Sequence, residues 1–190
     1  LRTRRQRQMC IRDSTYDYAI KNNCNIMCWP LTRGFDEAQL YKKRFDESMS
    51  KFENARRPHF ALMRHTAIYE TKASRDKAIA AIQNVLGQFE NLFRNIGGVT
   101  NGFPAQTPLS ELVNRDEYNA EMLEENLLFG SPEQAIKKLK KYQQLGVDSF
   151  IYYASMGLDH YEQIKSLELF CNKVLPAFAN PSGQHLKKTG

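Results

Sequence analysis

Ser131-Pro132-Glu133-Gln134 opens the clearest structural signal in the chain. Serine is a preferred N-cap, proline suits the first helical position, and a glutamine three residues after the cap completes a capping box. Ile136, Leu139, Tyr142 and Leu145 then recur at helical spacing, and Gly146 marks the stop. Directly after it, Val147-Asp148-Ser149-Phe150-Ile151-Tyr152-Tyr153 is short, aromatic and β-branched, the composition of a strand. A helix followed at once by a strand is half of a β/α repeat.

Working outward, the same alternation recurs. Asn25-Ile26-Met27-Cys28-Trp29 is an apolar run closed by Pro30 and reads as a buried strand. From Asp36, Tyr41, Phe45, Met49 and Phe52 form one face of a helix, with Lys42, Lys43, Arg44, Asp46 and Glu47 on the other. His59 to Tyr69 is a second strand. Ser74 is read as the cap of a helix whose stripe is Ala78, Ile82, Val85, Phe89 and Phe93, ending near Gly97-Gly98. Residues 97–129 are an insertion rich in glycine and proline, with one polar helical stretch from Ser110 to about Glu125. After the third strand, Tyr161, Ile164, Leu167, Cys171 and Val174 make the face of a last helix that Pro176 closes, and residues 179–190 are a polar tail. Strands alternating with helices predict an α/β fold with parallel strands.

Composition bounds the function. The 190 residues are 42% hydrophobic, 11% aromatic and 25% charged, with a formal charge of +6. No run of about 18 apolar residues occurs, so no membrane helix is expected. The charge is uneven: residues 1–14 carry five arginines against Asp13, and the remainder has 22 basic and 20 acidic residues, a balance of +2. That argues against nucleic acid and anionic membranes as partners. Met9-Cys10-Ile11-Arg12-Asp13-Ser14 resembles the in-frame translation of a sequencing-library transposon adapter, ATG TGT ATA AGA GAC AG. Residues 1–14 are therefore read as an artefact, and the frame as opening inside a gene. Cys24, Cys28 and Cys171 form neither a disulfide framework nor a zinc pattern, so no metal is expected and the thiols suit a reducing cytoplasm. No dinucleotide fingerprint, P-loop, nucleophile elbow or zincin motif occurs.

Two blocks carry a resemblance. Phe129-Gly130-Ser131-Pro132-Glu133 with Leu145-Gly146-Val147-Asp148, Ser155-Met156-Gly157-Leu158, Ser166-Leu167-Glu168-Leu169-Phe170 and Val174-Leu175-Pro176-Ala177-Phe178 resembles the C-terminal end of the bacterial luciferase-like, flavin-dependent monooxygenase family. Asn25 to Trp29 with its following helix resembles that family's sixth barrel strand, and Arg64 to Thr71 its seventh. The resemblance implies that residues 15–178 are the C-terminal portion of a (β/α)8 TIM barrel, about strands six to eight. It implies reduced FMN as cofactor, O2 and an organic substrate, and a flavin reductase as partner. A related branch of the superfamily uses a deazaflavin coenzyme instead, and a non-catalytic flavin-binding or interaction protein is the alternative outside enzymes.

Barrel active sites lie at the C-terminal ends of the strands. Trp29 matches a family position whose ring lies beside the flavin, and Asn25 and Met27 share its strand face, so the three are candidate cofactor residues, with Met27 also fitting barrel packing. Arg64 lies inside an apolar strand and needs a carboxylate or an anionic ligand. His65, on the opposite face, reads as a packing histidine. Ser131, at a helix N-terminus, is a candidate for a phosphate as well as an ordinary cap. Tyr153 and Ser155 are expected in the substrate pocket. The catalytic residues are expected upstream of residue 15. The insertion stands where the family carries a mobile loop over the flavin. Three strands cannot close a barrel, so exposed edges, association into oligomers and an inactive chain are expected.

Overall fold

A computed structural model describes residues 13–179 apart from 53, 95–97, 106, 113–114 and 155–156. The elements, in chain order, are α1 (Asp13–Lys21), β1 (Ile26–Cys28), α2 (Phe35–Ser50), β2 (Phe60–Ile68) and α3 (Lys72–Arg94). A hairpin of β3 (Val99–Thr100) and β4 (Phe103–Pro104) follows, then α4 (Leu109–Leu112), a 3-10 turn (Asp116–Tyr118) and α5 (Ala120–Asn126). The chain closes with β5 (Leu128–Gly130), α6 (Pro132–Gln144), β6 (Ser149–Tyr153), α7 (His160–Leu169), a π-helical turn (Phe170–Val174) and a 3-10 turn (Leu175–Phe178).

β2 is the centre of the sheet. β1 pairs with it in parallel from Ile26↔Phe60 to Cys28↔Leu62, and β6 from Ala61↔Ser149 to His65↔Tyr153. Both partners use Ala61 and Leu62, so β1 and β6 occupy opposite edges of β2. The expected parallel β/α succession is therefore present, joined by a strand that the sequence reading assigned to the insertion: β5 pairs with Thr66–Ile68.

The two faces of β2 make two cores. Phe60, Leu62 and Ile68 face the helices, packing with Tyr16, Cys28, Phe45, Leu139, Tyr142, Phe170 and Val174. Ala67 and Tyr69, on the other face by the two-residue period, pack with Ala78, Ile79 and Ile82 of α3 and with Leu123, Leu127 and Phe129. The capping box of α6 is formed as its sequence requires: Ser131 Oγ accepts the Gln134 N–H while Gln134 Oε1 accepts that of Ser131. Gly130 holds φ +141°, and a Cβ there would lie 2.5 Å from Gln134 Oε1, so only glycine fits beside the box.

Several sequence expectations are corrected. α1 was not anticipated, although Tyr16, Ala19 and Ile20 are buried at helical spacing. The cap of α3 is Thr71, whose Oγ1 accepts the Ser74 N–H, so Ser74 lies inside the first turn. Of the stripe expected for α3, Phe89 is exposed and Phe93 lies outside the described side chains. The Ser110–Glu125 stretch is broken, because Asn119 Oδ1 takes the Met122 N–H and starts a new helix. The largest change is in α7: Tyr161 is 70% exposed, and Ile164, Leu167 and Cys171 also face outward. The buried face is Glu162, Ser166, Phe170 and Val174. Ser166 explains this phase, since its Oγ accepts the Ile68 N–H at 2.7 Å and pairs with Tyr152 Oη at 2.8 Å. A polar residue faces the sheet where a backbone group would otherwise go unpaired.

Candidate functional site

Three aromatic rings meet toward the C-terminal ends of β1, β2 and β6. Trp29 follows β1, His65 lies on β2 and Tyr153 ends β6, at the register position opposite His65. Their ring centroids are 5.5 Å apart for Trp29–His65, 5.3 Å for Trp29–Tyr153 and 4.7 Å for His65–Tyr153, all three pairs tilted or edge-on as ring quadrupoles favour. The rings line a cleft of about 200 Å³. Leu31 and Arg33 from the turn after β1, Leu86 and Phe89 from α3, and Tyr118 from the insertion complete its walls.

The cleft is mixed, with Thr32, Arg33 and the tyrosines Tyr118 and Tyr153 among aromatic and aliphatic walls, and it holds two buried ring nitrogens. Trp29 Nε1 and His65 Nδ1 are both buried without a hydrogen-bond partner among the described residues. His65 is 4% exposed, and burial, reinforced by the neighbouring Arg64 charge, pushes its pKa down to about 4. Its imidazole is therefore neutral near pH 7, with one nitrogen able to donate and the other to accept. Leaving such groups unpaired costs on the order of 1–3 kcal/mol each, so a ligand with a polar edge is the natural complement.

The other sequence candidates fall elsewhere. Asn25 precedes β1 at its opposite end, roughly 13 Å along the strand from Trp29 by strand rise, where its Oδ1 accepts the His59 N–H. Met27 shares the face of Trp29, is 54% exposed in this chain and does not line the cleft. Ser131 spends its hydroxyl on the cap and on Glu133, with Oγ donating to Oε2 at 2.7 Å, and does not line the cleft. Ser155 lies outside the described residues.

Arg64 requires the main correction. It is completely buried, yet no carboxylate pairs with it among the described residues, contrary to the expected ion pair. Nε donates to Tyr142 Oη at 3.0 Å, Nη1 to the Leu31 carbonyl at 3.5 Å, and Nη2 to the carbonyls of Gly34 at 3.2 Å and Asn126 at 2.8 Å. The two-residue period puts it on the face of β2 away from His65, so it cannot meet a ligand in the cleft. His65 is the residue the sequence reading missed as a site candidate. Its signal was present: a titratable side chain near the C-terminal end of a barrel strand, on the face shared with Ala67 and Tyr69.

No family model matches the sequence. The chain is 26% identical over 166 residues to the flavin-dependent trigonelline monooxygenase, oxygenase component, of Acinetobacter baylyi, covering 87% of this chain and 46% of that protein. It thus spans about half the length of the curated relative it matches. Among solved structures, it is similar to the monooxygenase RslO1 from Streptomyces bottropensis at a TM-score of 0.58 and 15% identity, covering 88% of this chain and 46% of that one. An F420-dependent secondary alcohol dehydrogenase matches at a TM-score of 0.49 and 14% identity, over 83% of this chain and 49% of that one. The fold is part of a luciferase-like TIM barrel, and the resemblance to the luciferase-like flavin-dependent monooxygenases holds in sequence as well. None of the described helices is long and apolar enough to cross a membrane.

Proposed function

We propose that this chain is the strand-six-to-eight portion of a flavin-dependent monooxygenase that uses reduced FMN and O2 to oxygenate an organic substrate, with reduced flavin delivered by a separate reductase. The observation that carries the reading is the convergence of Trp29, His65 and Tyr153 around a cleft holding two ring nitrogens without a hydrogen-bond partner among the described residues. The sequence similarity to an oxygenase component supports it.

The residues fit a flat heteroaromatic group: apolar and aromatic walls for the ring faces, and Trp29 Nε1 and His65 Nδ1 for a polar edge. When bound, reduced FMN supplies the two electrons with which O2 places one oxygen atom in the substrate and the other in water. In this reading Trp29 is a ring wall that excludes water, His65 orients the ligand as a neutral hydrogen-bonding group, and Tyr153 closes the substrate side. Asn25, Arg64 and Ser131 are left out of the contact set because none of them lines the cleft: Asn25 lies at the opposite end of β1, and the Arg64 guanidinium and Ser131 hydroxyl are bonded within the fold. Tyr118 ties the insertion to the same cleft.

The test is flavin binding by fluorescence quenching in a protein restored to the length of its relative. Saturable FMN binding, weakened roughly tenfold by Trp29→Ala, is the expected result. No FMN binding by the restored protein would move the reading to a deazaflavin coenzyme, if that binds, or to a non-catalytic barrel.

A further inference from the structure

We infer that Arg64 is a positioning residue of the aromatic cleft, which it shapes from the opposite face of β2 by tying the Leu31–Gly34 turn and the C-terminal end of α5 to the strand that carries His65. The inference rests on the proposed reading only for the identity of the ligand.

The contacts are specific. The Leu31–Gly34 turn follows Trp29 after Pro30 alone and contributes Leu31, Thr32 and Arg33 to the cleft wall. Leu31 has φ +53°, in the left-handed region that disfavours a leucine, so the turn adopts a conformation its sequence does not prefer. Arg64 binds that turn at both ends, through the carbonyls of Leu31 and Gly34. The same guanidinium takes the Asn126 carbonyl at the end of α5, where unpaired carbonyls and the helix dipole favour a cation. Gly34 and Asn126 are in close approach: a Cβ on Gly34 would lie 2.9 Å from Asn126 Oδ1. α5 belongs to the insertion that brings Tyr118 to the cleft. One buried side chain thus joins the strand, the strained turn and the insertion.

Lys138 provides the comparison. Its Nζ donates to the carbonyls of Glu124, Leu127 and Phe129, so it also holds the end of α5, but it makes no hydrogen bond to the Leu31–Gly34 turn. A general loss of helix anchoring would follow from removing either cation. A change in the cleft should follow only from Arg64.

Trp29 is the single tryptophan of the chain, so its emission reads the cleft alone. In the 190-residue chain, Arg64→Met is expected to shift Trp29 emission to the red and raise its quenching by acrylamide, with far-UV circular dichroism retained. Lys138→Met is expected to leave both Trp29 signals unchanged while lowering Tm. In the full-length protein, Arg64→Met is expected to raise the Kd for FMN by roughly tenfold. Unchanged Trp29 signals in Arg64→Met, or the same shift in Lys138→Met, overturn the inference. If Arg64→Met does not fold, Arg64→Gln, which cannot reach both the turn and α5, takes its place with the same criteria. A wild-type protein that binds no FMN while the Trp29 shifts appear as stated would refute the proposed cofactor and leave the positioning role standing.

Discussion

Removing the acid-titrating capacity of His65 should flatten the pH dependence of folding. The imidazole is 4% exposed and its pKa falls from 6.5 to about 4 in the folded chain, chiefly by burial. Because the folded value lies below the unfolded one, the unfolded chain takes up a proton first as pH falls. Stability is then complete above about pH 6.5 and is lost progressively down to about pH 4. The full difference of about 2.5 pKa units corresponds to roughly 3 kcal/mol, of which about 2.5 kcal/mol should be lost by pH 4.5. His65→Phe keeps a ring among Trp29 and Tyr153 and cannot protonate. Urea unfolding of both chains at pH 7.0 and pH 4.5 gives the comparison, with Asp17, Glu124, Asp148 and Glu162, whose pKa values are lowered, contributing equally to each. The stability lost between the two pH values should be smaller by about 2.5 kcal/mol in His65→Phe. An equal loss in the two proteins would mean that His65 is not held neutral in a buried cleft.

Ser166→Ala would strip a hydrogen bond from the buried Ile68 N–H and from Tyr152 Oη, at a cost of about 2 kcal/mol visible as a lower urea midpoint with an unchanged slope. Phe45 is fully buried against Phe60, with ring centroids 5.1 Å apart, and Phe45→Ala should cost about 3–5 kcal/mol in the same assay. Leu167→Ser, on the outward face of α7, should change stability by no more than about 0.5 kcal/mol, whereas the helix phase expected from sequence predicts a core-sized loss. Leu31→Gly removes the left-handed strain at that position and should stabilise the chain by about 1 kcal/mol in thermal unfolding, with weaker FMN quenching in the full-length protein because a cleft wall is lost.

The strands around Met27, Met63 and Ile151 and the helix after Ser131 were legible in the sequence because their signals are local. A capping box spans four residues, and hydrophobic period is read within one element. α7 shows where this fails. Its more apolar stripe, Tyr161, Ile164, Leu167 and Cys171, suggested the buried side, and the partners that set the true phase are Ile68 and Tyr152, outside the helix. β5 was missed because three residues, Leu128 to Gly130, carry too short a pattern to separate from the insertion, and their status as a strand comes from pairing with Thr66–Ile68.

The site divides in the same way. The sequence by itself determined the β/α order, the α6 start and the family resemblance that drew attention to Trp29 and Tyr153. The tertiary structure decided that these rings meet His65, because Trp29, His65 and Tyr153 are brought together by parallel pairing between strands distant along the chain. It also decided the partners of Arg64. A carboxylate partner would be visible as a residue type, but the groups that hold this guanidinium are mostly backbone carbonyls, which every residue possesses and which only the folded chain can select.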